Sequence, residues 1–362
     1  MTRLHDLHAQ QGQSPWLDNL RRGWITSGDL GRWVDRGVRG ITSNPSIFQN
    51  AMTGTDDYDE QLRSLVADGA TIEDSYWALV ARDIMDALEV MKPVHEASGG
   101  VDGYVSVEVN PALASDTDGT IAAARDLDQL IDRPNLYVKI PATAEGIPAI
   151  NQMISEGRSV NVTLIFSLLR YAEVMEAYVS GLEARDGDLS HISSVASFFI
   201  SRTDSEVDRR LDAIGGESAL ALRGRAAVAQ GQVAYQMFRK MFSGERWEVL
   251  AARGARVQRP LWASTSTKNP AYSDTLYVDT LIGPDTVNTL PDATLEAFED
   301  HGTVARTVDA DPAAAHAVLR DLTSAGVDLD DVAQVLEGEG VAAFIASFDD
   351  LLDSLRAKVA SF

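Results

Sequence analysis

Lys139 lies in the middle of an apolar run, Asn135-Leu136-Tyr137-Val138-Lys139-Ile140-Pro141-Ala142-Thr143, whose residue types are those of a strand. An ammonium among apolar neighbours is costly unless it is paired or discharged, and a discharged amine can attack a carbonyl. Lys139 is therefore a candidate for Schiff-base formation. For a single lysine, snorkelling from a strand end or pairing with a buried carboxylate are the competing readings. Its company sharpens the choice. Polar residues stand near the C-terminal ends of other short apolar runs: Asp18 in Trp-Leu-Asp-Asn, Asn44 in Thr-Ser-Asn-Pro-Ser, Glu108 in Val-Ser-Val-Glu-Val, Asn161 and Thr163 in Asn-Val-Thr-Leu, and Ser197. Each alone reads as a satisfied polar group at a strand terminus. As a set they fit imine chemistry: an amine adds to a ketone, an acid such as Glu108, acting through a water held by Thr163, helps the carbinolamine lose water, and a base such as Asp18 takes a hydroxyl proton as a carbon-carbon bond breaks. Asn44, Asn161 and Ser197 can hold substrate hydroxyls.

These residues need elements that aim them at one point. Short β-type runs alternate with helical patterns along the chain, which argues for parallel strands joined by crossover helices. The expected strands are Pro15 to Asp18, Gly40 to Asn44, Tyr104 to Val109, Leu136 to Pro141, Val160 to Phe166, His191 to Ile200, Arg259 to Thr265 and Thr275 to Ile282. That set predicts an α/β fold, a (β/α)8 TIM barrel forming a single domain over residues 1–362, with chemistry at the C-terminal ends of its strands. Because side chains alternate faces, Tyr137, Lys139 and Pro141 should point inward, and Val138 and Ile140 outward to the helices. A helical insertion is expected over about 49–95, where Ile72, Tyr76, Leu79, Val80, Ile84, Ala87, Leu88 and Met91 fall on one face. A C-terminal helical extension is expected over about 290–362, with breaks at Pro312, Gly326 and Gly338-Glu339-Gly340. Its Phe344, Phe348, Leu351, Leu352 and Leu355 suggest a docked helix.

Composition narrows the function classes. A chain of 362 residues that is 45% apolar can bury a large core. With no cysteine there are no disulfides, thiolate metal sites or cysteine nucleophiles, which fits a reducing compartment. A formal charge of -23 opposes nucleic-acid and anionic membrane binding. The stretch from Met1 to Ser14 has no apolar core of signal-peptide length, and no run is long enough to span a bilayer, so a cytoplasmic protein is expected. The six histidines show no ligand spacing, acidic groups such as Asp116 with Asp118 lack an EF-hand pattern, and there is no nucleotide-binding glycine motif; neither metal nor organic cofactor is expected. Oligomeric state is left open.

Tyr-Val-Lys-Ile-Pro-Ala-Thr, Gly-Ile-Thr-Ser-Asn-Pro-Ser-Ile-Phe and Asn-Val-Thr-Leu-Ile-Phe-Ser, in this order, resemble transaldolase signatures, and the resemblance runs from about Trp16 to the C-terminus. It implies a class I aldolase-type barrel in which Lys139 forms the Schiff base, Asp18 is the acid/base for carbon-carbon cleavage, and Glu108 with Thr163 manages the catalytic water. Asn44, Asn161 and Ser197 would line the donor's hydroxyls. The implied reaction transfers a dihydroxyacetone unit from sedoheptulose 7-phosphate or fructose 6-phosphate to erythrose 4-phosphate or glyceraldehyde 3-phosphate, in the non-oxidative pentose phosphate pathway, without a cofactor. Arg202 falls at the family's phosphate-binding arginine. The family's seventh strand reads Ala-Ser followed closely by an aromatic and a basic residue, whereas this chain has Ala263-Ser264-Thr265-Ser266-Thr267-Lys268-Asn269, so Lys268 arrives late as a phosphate ligand beside Ser264. Fructose-6-phosphate aldolases resemble this chain but carry glutamine where Glu108 stands and tyrosine where Phe199 stands; both positions here match the transferase. A non-catalytic barrel that binds sugar phosphates is the alternative of another class.

Overall fold

Branched and aromatic residues concentrate in the short apolar runs, and these become strands. The computed structural model describes residues 1–362. Its seven strands are β1 (Gln13–Leu17), β2 (Val105–Glu108), β3 (Leu136–Pro141), β4 (Val160–Ile165), β5 (Ser194–Phe199), β6 (Arg259–Ala263) and β7 (Thr286–Leu290). All pair in parallel, in the order β1-β7-β6-β5-β4-β3-β2. The sheet curls until Ile41 pairs with both Leu17 of β1 and Val105 of β2, its two edge strands. Every strand residue is buried, as expected when helices cover the outer face and side chains fill the inner one.

The pleat sorts the strand residues into two sets. Val138, Ile140, Val160, Val162, Ala196, Phe198 and Trp262 face outward into a large core shared with the helices. Trp16, Tyr137, Val195, Leu261 and Val287 face inward with Tyr104 in a second core. Tyr137 stacks on Tyr104 at 4.1 Å and on Trp16 at 6.1 Å between ring centroids, so an aromatic layer lies two residues below Lys139 on the same face. Gly40 belongs to this layer: a Cβ there would sit 2.3 Å from the Trp16 ring.

Two expectations about the sheet need correction. Thr275–Ile282 is not a strand; it contains a one-turn helix, Leu276–Asp279. Its buried apolar residues are Tyr277, Val278, Leu281 and Ile282, a helical spacing that its β-branched composition disguised. The last strand is instead β7, Thr-Val-Asn-Thr-Leu, whose polar content hid it; the Oδ1 of buried Asn288 accepts from the Thr265 hydroxyl at 2.9 Å, while its Nδ2 has no protein partner. Gly40–Asn44, expected as a full strand, contributes one bridging residue, Ile41.

Helices occupy the two segments where they were expected. Pro45–Met52, Asp59–Ala67 and Ile72–Ala97 lie between the bridging segment and β2, and the last buries Tyr76, Leu79, Val80, Ile84, Ala87, Leu88 and Met91. After β7 come Asp292–His301, Pro312–Ser324 and Leu329–Ala360. The expected break at Gly338-Glu339-Gly340 does not occur: the final helix runs through it for 32 residues. Gly340 faces Leu164 so closely that a Cβ would lie 3.0 Å from its Cδ2, so the glycine serves close approach to β4.

Beneath the aromatic layer a buried carboxylate closes the N-terminal end of the sheet. Asp102, fully buried, accepts from Arg39 Nε at 2.7 Å, Arg259 Nη2 at 3.0 Å and Ser14 Oγ at 2.8 Å. Burial opposes its ionisation, but the two guanidiniums and these hydrogen bonds prevail and hold its pKa at about 2. A lowered carboxylate pKa gives stability that is full above the ordinary value of 3.8 and is lost as the pH falls through about 2. Asp102→Asn should therefore cost about 3–5 kcal/mol at neutral pH by leaving Arg259 buried without its counter-charge. Urea unfolding should show that deficit shrinking between pH 4 and pH 2.

Candidate active site

At the opposite end the inner face turns polar. Glu108 and Lys139 are register partners on β2 and β3, and Lys139 is in turn the partner of Asn161 on β4. Lys139 Nζ lies 3.1 Å from Glu108 Oε2, with the two side chains 6% and 4% exposed. No donor is well aligned on that oxygen, so the contact is an ion pair more than a directed hydrogen bond. Nζ also donates to the Ser43 carbonyl at 3.2 Å. Burial raises the Glu108 pKa, Lys139 pulls it down, and Asp18 adds to the rise. A carboxylate of raised proton affinity is a suitable acceptor for a proton that a nucleophilic lysine must lose.

The bridging segment after β1 supplies more than the Ser43 carbonyl. Thr42 Oγ1 donates to Asp18 Oδ1 at 2.7 Å and meets Thr289 Oγ1 of β7 at 2.5 Å. Asp18 keeps contact with solvent through the cavity but is otherwise surrounded by protein; that burial raises its pKa, opposed by the Thr42 hydrogen bond and by the charges of Lys139 and Lys268. Asn44 caps the helix Pro45–Met52, its Oδ1 accepting from Ile47 N at 2.9 Å, which leaves its amide N–H groups for the cavity it lines.

These side chains surround one open cavity. Asp18, Asn44, Lys139, Thr163, Ser197, Phe199, Arg202, Ser264 and Lys268 all reach its wall. Thr163 presents a buried hydroxyl with no protein partner. Two expected residues do not reach the wall. Glu108 stands behind Lys139, and Asn161 lies under the floor, where its Oδ1 accepts from Ser197 Oγ at 2.7 Å and its Nδ2 donates to Ser106 at 3.0 Å. Asn161 thus orients Ser197.

Two cations face the cavity without a carboxylate partner. Arg202, in the first turn of the helix Ser201–Ile214, forms no ion pair and lies 5.8 Å from the Phe199 ring centroid; burial lowers its pKa against the pull of Glu339. Lys268, despite its late position in sequence, lines the same cavity and donates to Ser266 Oγ at 2.8 Å. It gets there because Ser264 turns the chain at the end of β6 with φ +55°, a conformation that a non-glycine residue rarely adopts. No group of three or more histidine, aspartate or glutamate side chains is arranged to hold a metal ion. No helix is long and apolar enough to cross a membrane.

The family model for transaldolase/fructose-6-phosphate aldolase matches residues 15–355. The chain belongs to that family. It is 52% identical to a transaldolase of Parafrankia sp. (strain EAN1pec), across 99% of this chain and 98% of the relative. A transaldolase of Saccharopolyspora erythraea is 50% identical across 99% of both chains, and one of Thermobifida fusca 51% identical across 98% of this chain and 97% of its own. Within the family frame the sequence reading missed Thr42, Thr289 and Phe344, all of which line the cavity. Thr42 sits inside a quoted motif and was within reach; Phe344 was read only as a packing residue.

Thr42 holds Asp18 toward its ionised form, so removing the hydroxyl should raise the Asp18 pKa. Thr42→Val is expected to move the acid limb of the kcat/KM profile upward by about one pH unit, the equivalent of ~1.4 kcal/mol, leaving the alkaline limb in place.

Proposed function

We propose that this protein is a transaldolase that carries a dihydroxyacetone unit on Lys139 between a ketose phosphate and an aldose phosphate. The observation that carries the reading is a strand lysine, ion-paired to a buried carboxylate and opening on a polar cavity that also holds a second carboxylate and two uncommitted cations. Identity at about half of all positions with the transaldolases above, over nearly the whole of each chain, supports the same conclusion. We read the whole chain as one (β/α)8 domain in which residues 40–44 take the second strand's place, with helical additions over about 49–95 and 290–362. The absence of cysteine is in keeping with a cytoplasmic setting.

In this reading the ketose binds with its phosphate toward Arg202 and Lys268, where the first turn of Ser201–Ile214 adds its positive dipole end. Lys139 gives a proton to Glu108 and adds to the ketone. Glu108, with Thr163 positioning a water, returns a proton to the departing hydroxyl, and the iminium forms. Asp18 then takes the proton of the hydroxyl beyond the adjacent carbon-carbon bond, which breaks as electrons flow into the iminium. The free aldose phosphate leaves, an acceptor aldehyde enters, and the steps run backward. Asn44 and Ser197 hold donor hydroxyls, the latter oriented by Asn161. Phe199 has no acidic proton to give the enamine, which favours transfer over the simple cleavage of a fructose-6-phosphate aldolase.

Borohydride reduction in the presence of fructose 6-phosphate should add one three-carbon unit, located by mass spectrometry at Lys139 and lost in Lys139→Ala. A folded, active protein that gives no adduct would exclude the imine route. Arg202→Gln should raise KM for fructose 6-phosphate by about 10- to 100-fold, the worth of a charge-assisted hydrogen bond of ~1.5–3 kcal/mol, with little change for unphosphorylated fructose. An equal effect on both sugars would remove Arg202 from phosphate binding.

A further inference from the structure

The cavity wall is polar except for Phe199, Ala263, Pro291 and Phe344. Phe199 and Ala263 stand on β5 and β6, two and three strands away from Lys139. Phe344 comes from the other end of the chain and is the aromatic residue at the lysine itself: its ring centroid is 5.8 Å from Nζ, and the residue is 4% exposed. The helix Leu329–Ala360 holds it there from both sides. Toward the N-terminal end, Gly340 packs on Leu164, Leu336 and Val332 share the inner core with Phe199, and Arg210 pairs with Asp331 at 2.6 Å. Toward the C-terminal end, the Phe348 ring meets Tyr76 edge-on at 5.1 Å and Ser347 Oγ meets Ser46 Oγ at 2.7 Å. These contacts fix the helix, and with it the backbone that carries the ring, over the lysine.

We infer that Phe344 determines what takes the three-carbon unit from Lys139, by keeping water off the enamine so that an aldehyde acceptor reacts in place of a proton. This rests on the imine reading above. After cleavage the unit is an enamine joining the Lys139 nitrogen, C2 and C3. In transfer, C3 bonds to the acceptor carbonyl carbon, and the carbonyl oxygen takes the proton that Asp18 removed from the donor. In release, C3 takes a proton from water instead, the iminium reforms, water adds at C2, and dihydroxyacetone leaves as the amine is restored; Asp18 returns its proton to solvent. Both routes balance without oxidant or cofactor, and they differ only in whether a proton donor reaches C3. A packed apolar ring beside the imine nitrogen keeps further solvent from its own side of the site, leaving the water that Thr163 holds to serve C2.

The test measures two rates on the same preparations of the parent, Phe344→Ser and Phe344→Leu. One is transfer from fructose 6-phosphate to erythrose 4-phosphate; the other is dihydroxyacetone release from fructose 6-phosphate with no acceptor. The ratio of release to transfer should rise roughly tenfold in Phe344→Ser and stay within about twofold of the parent in Phe344→Leu. Because it is a ratio, any misfolded fraction cancels, and if Phe344→Ser does not accumulate, Phe344→Gln carries the same expectation. Equal loss of both rates would overturn the proposal and leave Phe344 a packing residue. Borohydride separates the two ideas: an adduct at Lys139 with an unchanged ratio removes this proposal alone, whereas no adduct in the parent removes the imine and this proposal together.

Discussion

The register between β2 and β3 sets the charge balance on which this molecule is built. Burying an ammonium costs several kcal/mol unless an opposite charge meets it in good geometry. Here the counter-charge comes from the neighbouring strand at the same level, Glu108 opposite Lys139, with the Ser43 carbonyl completing the contact. A slip of one residue would turn either side chain to the outer face, among the apolar residues under the helices. The aromatic layer of Trp16, Tyr104 and Tyr137 helps fix that level, and Gly40 lets the bridging segment lie against it.

The same burial that makes the pair costly makes it useful. It raises the proton affinity of Glu108 and Asp18, so two carboxylates sit ready to accept protons that solvated ones would not hold. Arg202 and Lys268, meanwhile, have no carboxylate of their own on a chain whose net charge is -23. Their field is local, and the cavity walls shield it from the acidic surface. Asp102 at the far end shows the opposite outcome: two guanidiniums saturate it and it has nothing left to exchange.

Much of this was visible in the order of residue types. Alternation put Tyr137 and Lys139 inward and Val138 and Ile140 outward, as the two cores and the place of Lys139 on the cavity wall bear out. What failed had physical causes. Thr275–Ile282 has strand composition but helical burial, and β7 has polar composition but a buried place in the sheet, where Asn288 finds a partner in Thr265. Propensity could not see either, since both depend on which neighbour arrives. Gly338 and Gly340 read as a break, yet the helix continues, and the Gly340 backbone lies close against Leu164.

The sequence by itself determined the chemistry of the strand ends, because side-chain alternation is a local property of the backbone: a lysine, two carboxylates, a threonine and an arginine would face one axis if the strands closed around it. Only the tertiary structure decided which of them touch the cavity and which act from behind it. Asn161 turned out to orient Ser197, Glu108 to back Lys139, Thr42 to hold Asp18, and Lys268 to reach the cavity through the turn at Ser264. Phe344 comes 205 positions after Lys139, and no local rule connects them. Their meeting follows from how one long helix docks across the strand ends, and docking is the sum of many weak apolar contacts that no single residue announces.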